Sequence, residues 1–180
     1  MDDWRLEQVA KSINDSNLTT QQIRRLAFKA VIHAYYVNRS YWTDRTFFGE
    51  RVSVGPLGAM NQIIATFEDA LKDKKETIQH EGVWDLMKQA NPDPDDVPGI
   101  LPGWAALLNA CVEALGEEWE SYYWSMGNAY QSVANRSYCE LRGIEGNCGF
   151  GAGEDAAEAN DELCSQEIRF QLESLTLLAD

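Results

Sequence analysis

Histidine is nearly missing from this 180-residue chain, which has only His33 and His80. That scarcity removes most metal centres and acid–base sites built on imidazole. His80-Glu81 opens like a zinc-protease helix, but the position that must hold the second histidine is Trp84; without that ligand there is no site. His33 lies inside a helical pattern, where a packed or surface role is the ordinary one. Glu-x-x-His pairs are also lacking, which excludes a carboxylate-bridged di-iron bundle.

The four cysteines, Cys111, Cys139, Cys148 and Cys164, show none of the short paired spacing of a zinc site. None stands among the bases that would lower a thiol pKa, which argues against a catalytic thiol. Buried thiols are expected, and Cys139 with Cys148 is the one pair worth testing as a bridge. No Gly-x-Ser-x-Gly elbow occurs. Gly149-Phe150-Gly151-Ala152-Gly153 follows no strand pattern, lacks Gly-Lys-Ser/Thr and leads into two acids, so it is no phosphate cradle. Asn91, Asp93, Asp95 and Asp96 imitate the start of a calcium loop, but interleaved prolines and a missing downstream Glu exclude one. No cofactor is expected. No apolar run approaches the ~18 residues of a membrane span, and Met1-Asp2-Asp3-Trp4 opens unlike a signal peptide. The expectation is a cytoplasmic protein away from membranes.

Positive charge is short as well, and unevenly so. Against 29 acids there are 15 bases, for a net charge of −14. From Met1 to Lys75 there are 9 acids and 11 bases, a net of +2; from Glu76 to Asp180 there are 20 acids and 4 bases, a net of −16. Phosphates require Lys and Arg opposite them, so direct nucleic-acid binding by the second part is excluded. A basic protein partner suits it, because opposite fields steer encounter.

What the chain does have is hydrophobic periodicity. It is 44% hydrophobic with six tryptophans, enough for a sizeable core at this length. From Trp104 to Tyr138, apolar residues recur in steps of three and four through Leu108, Cys111, Leu115, Trp119, Tyr122, Met126, Tyr130 and Val133. That spacing predicts one long helix over about 104–138, around which neighbours must pack. Helices are also predicted over 3–14, from Thr19 to about Asn38, from Pro56 to about Lys75, over about 76–90 and from Glu154 to about Leu178. Thr19 with Gln22 reads as a capping box, flanked by the Leu18/Ile23 staple. Four of the five prolines fall within 91–103, a loop that no helix crosses. Glycines punctuate 143–153, a flexible segment. The fold class expected is therefore all-α: a single domain, 1–180, with five or six helices in a bundle around 104–138.

Two features point to function. Glu113, Glu117, Glu118 and Glu120, with Glu154, Asp155 and Glu158 beyond, form an acidic group that is either a solvated face or an imitation of phosphate spacing. Tyr122, Tyr123 and Trp124 are consecutive, and a helix cannot bury all three on one side. At least one of Tyr123 and Trp124 should face another element or a partner. The reading is a non-enzymatic inhibitor, immunity-like or anti-defence, that occupies a basic partner such as a toxin nuclease or a nucleic-acid-binding complex. One alternative is a small apolar ligand held by Tyr35, Trp42, Tyr122 and Tyr130. Another is an assembly subunit, a homodimer for instance, in which the near-neutral part of one copy meets the acidic part of the next.

Overall fold

In a computed structural model, the residues described are 4–43, 46–47, 50–51, 55–73, 80–91, 103–143 and 161–179. They form seven helices: α1 (Trp4–Asp15), α2 (Thr20–Thr43), α3 (Pro56–Asp73), α4 (His80–Ala90), α5 (Trp104–Ala114), α6 (Trp119–Arg142) and α7 (Asp161–Ala179). Between α2 and α3, Thr46–Phe47 and Glu50–Arg51 pair as a two-residue antiparallel hairpin, β1 and β2. The fold is all-α, as the periodicity predicts.

The start of α2 follows its sequence signal. Thr19 N–H donates to Gln22 Oε1 at 2.9 Å, and Gln22 N–H donates to Thr19 Oγ1 at 3.2 Å; two otherwise orphaned donors are satisfied reciprocally. The helix then outruns the expected end near Asn38 by more than a turn. No glycine or proline stops it, and Ala34, Tyr35, Asn38, Tyr41 and Trp42 continue its buried stripe. Pro56 opens α3, where its missing N–H costs nothing.

The long helix expected over 104–138 is instead two helices. The Leu115 N–H bonds to Val112 O at 3.1 Å and the Gly116 N–H to Glu113 O at 3.0 Å, tightening and ending α5. A Cβ on Gly116 would stand 2.5 Å from Ser121 Cβ, so only glycine lets the chain turn so closely on itself. Glu118 is extended, with φ −100° and ψ 149°, and α6 begins at Trp119. The step of four from Leu115 to Trp119 matches helical spacing by coincidence and conceals the break. α6 continues past Gly127 to Arg142, and Gly143 closes it in the left-handed region at φ 62°. The glycine-rich stretch from 144 on, the proline-rich stretch 92–102 and the first residues of the predicted last helix lie outside the described residues.

α6 packs against α5, α2 and α7, while α2 also packs against α3, α5 and α7; α1 lies on α7 and α4 on α3. The centre is thus shared by α2 and α6. Where α5 meets α6, small residues bring the backbones together. Ser125 Oγ donates to Ala110 O at 2.7 Å and Ser132 Oγ to Gly103 O at 2.7 Å. Asn38 Nδ2 joins from α2, donating to Ser132 Oγ at 2.9 Å. Trp104 packs edge-on against Trp42 with centroids 5.0 Å apart, and its indole N–H donates to Ala90 O at 2.9 Å.

Candidate functional site

The break between α5 and α6 creates a corner that a single rod would not have. Glu113 is half-buried near the end of α5, while Glu117 and Glu118 in the turn and Glu120 in the first turn of α6 are exposed. Glu118 makes no side-chain cap bond to α6, so its carboxylate is not consumed by the helix end. Among the described residues, none of these four glutamates forms an ion pair with the chain's own bases. By contrast Glu140, further along α6, pairs with Arg136 at 3.3 Å. Glu154, Asp155 and Glu158 lie outside the described residues.

Beside these acids stand two exposed tryptophans, Trp119 at 45% and Trp124 at 52%. The rings of Tyr123 and Trp124 meet edge to face at 5.9 Å, with Tyr123 half-buried. Trp119, Glu120, Tyr123 and Trp124 occupy one outward arc of α6 under helical geometry. Trp119 is a correction: the spacing assigns it to the buried stripe, and the break turns it outward. Gly116 followed by Glu117-Glu118, a helix stop and then acids suited to a helix start, was the signal for it.

The corner is anchored by Tyr122. Its ring is buried and its hydroxyl donates to Gly116 O at 2.8 Å. Burial pushes the phenol pKa up, with nearby Glu117 adding to the rise and Arg24 opposing it. The phenol therefore stays protonated and keeps donating at physiological pH.

The four aromatics of the alternative ligand site are all buried. Tyr35 and Trp42 are fully buried side by side, centroids 6.3 Å apart, and the Tyr35 hydroxyl donates to Asn61 Oδ1. Tyr122 is tied to the corner, Tyr130 is buried in the middle of α6, and none of the four lines the clefts between α1 and α7 or between α4 and α5.

One buried polar group escaped the sequence reading. Glu167 on α7 is 1% exposed and accepts from His33 Nδ1 of α2 at 2.5 Å and from Gln171 Nε2 at 2.9 Å. Gln171 also donates to Met126 O at 3.2 Å, and the His33 ring stacks on Phe170 at 3.8 Å. The signal was present: Glu167 and Gln171 interrupt the stripe of Cys164, Ile168, Leu172 and Leu175. Cys139 is disulfide-bonded, while Cys148, its expected partner, lies outside the described residues. Cys111 is a buried thiol whose pKa burial pushes far up, which leaves it no nucleophile. Among the described residues, no group of three or more His, Cys, Asp or Glu is placed to hold a metal, and no helix is long and apolar enough to cross a membrane.

No family model, curated protein or solved structure matches this chain. The corner must be read on its own chemistry.

Proposed function

We propose that the protein is a non-enzymatic binding protein that seats its α5–α6 corner in a basic surface of a partner protein and thereby inhibits it. The observation that carries this reading is the juxtaposition of two exposed tryptophans with Glu117, Glu118 and Glu120, acids that form no ion pair among the described residues. Exposed tryptophan is the side chain most often found to dominate interface energetics, because its large apolar area gains most from desolvation. The surrounding carboxylates contribute rate and orientation by long-range attraction. Glu113 and Tyr123 complete the surface. Partners of the right chemistry are proteins whose grooves hold phosphates, such as a toxin nuclease or a nucleic-acid-binding defence complex, where carboxylates replace the phosphate charges.

The test is capture of basic nucleases and nucleic-acid-binding complexes on the immobilised protein at low and physiological salt, with catalytic inhibition as the second readout. Retention that weakens with salt, and is lost in Trp124→Ala, supports the reading. Absence of retention at low salt, or retention indifferent to Trp124→Ala and to Glu117→Gln/Glu118→Gln/Glu120→Gln, sinks it.

A further inference from the structure

Away from the corner, α1 and α7 leave between them a cleft of about 350 Å³, within the size range of small-molecule sites. Gln8 of α1 and Ser165, Ile168, Arg169, Leu172, Glu173 and Thr176 of α7 line it. The floor is apolar, since Ile168 is buried in the core and Leu172 packs against it. On the rim stand one guanidinium and one carboxylate, Arg169 and Glu173, both exposed. Among the described residues neither side chain forms an ion pair or a hydrogen bond, with the other or with anything else. Their order explains why. An acid preceding a base by four residues is the favourable helical pairing, and here the base comes first. The Thr176 hydroxyl is already engaged, donating to Leu172 O at 3.0 Å, and Ser165 has a partner of its own, so the charged pair and the Gln8 amide are the groups left for a ligand.

A cation and an anion one helical turn apart, above an aliphatic floor, are complementary to a molecule carrying both charges next to an aliphatic group. We propose that this cleft binds a small zwitterion with a branched aliphatic side chain, in chemical class an apolar α-amino acid. Its carboxylate takes the planar Arg169 fork, which suits a carboxylate geometrically. Its ammonium takes the Glu173 carboxylate, and its side chain covers Ile168 and Leu172. The site is separate from the α5–α6 corner and does not depend on the function proposed for it.

The probe is L-leucine, titrated into the full-length protein while the Ile168 methyl resonance and the heat of binding are followed. Isocaproate lacks the ammonium and isoamylamine lacks the carboxylate. The proposal expects leucine to shift the Ile168 methyl saturably and each half-ligand to bind about tenfold more weakly. Arg169→Gln and Glu173→Gln, both surface changes, should each weaken leucine about tenfold with unchanged far-UV circular dichroism. Trp124→Ala should bind leucine as the unaltered protein does. An unmoved Ile168 resonance at millimolar leucine overturns the proposal. So does leucine binding no tighter than its half-ligands, or titrations of the two variants that match the unaltered protein.

Discussion

Among the described carboxylates, Glu167 has the environment that departs furthest from what a carboxylate prefers. It is 1% exposed, between α2, α6 and α7, and depends on His33 and Gln171 for its donors. Leaving a buried acceptor without its donor costs more than replacing both partners by apolar groups, because the remaining polar group is desolvated with nothing in return. His33→Phe is therefore expected to lower unfolding free energy by about 2 kcal/mol. Adding Glu167→Leu to it should restore most of that loss, as read by urea denaturation. Gly103 makes an equally local demand. Its φ is 78°, and a Cβ there would stand 2.1 Å from Ser132 O on α6. Gly103→Ala should cost about 3 kcal/mol, from the left-handed backbone and from the forced separation of α5 and α6. The shift of its urea midpoint checks this. The role of Gly103 was not legible beforehand, because a glycine beside prolines reads as loop; Glu167 left one trace, its interruption of an apolar stripe, which is easily missed in an acidic chain where a glutamate reads as solvated.

At the scale of elements, the α5–α6 corner matters most. Period alone could not find it, since Leu115 to Trp119 preserves the helical step while the chain changes direction. Ridge and groove positions repeat in an unbroken helix and in two helices joined in register, so apolar spacing does not separate the cases. Punctuation does, through Gly116 and the acids after it. The Tyr122 hydroxyl bond to Gly116 O pins the turn. Tyr122→Phe should lower stability by about 1 kcal/mol, with local loss of hydrogen-exchange protection over 113–121. Trp124→Ala makes the opposite case. More than half exposed, it should leave the thermal midpoint almost unchanged while abolishing partner capture. Stability and binding are thereby separated on one helix.

For the whole molecule, the governing quantity is charge. A net of −14 held in one fold repels itself, and the repulsion is screened by salt. Raising sodium chloride from low to physiological strength should raise the thermal midpoint while slowing association with a basic partner. The two effects have opposite sign in binding and stability, so calorimetry and association kinetics measured together identify the field as their common cause. An interface dominated by apolar contact would show salt-independent association instead.

Amphipathic period, the Thr19 capping box and the position of Pro56 were sufficient to specify an all-α fold and most helix starts, because they act within a few residues along the chain. The acidity of the second part, and the impossibility of burying Tyr122, Tyr123 and Trp124 together, were likewise written in local order. Which tryptophans meet water, which glutamate is buried with a histidine 134 positions away, and where two rim charges stand over an aliphatic floor were decided only in three dimensions. Those properties belong to surfaces shared by helices distant in sequence, and burial is a property of the neighbours as much as of the residue itself.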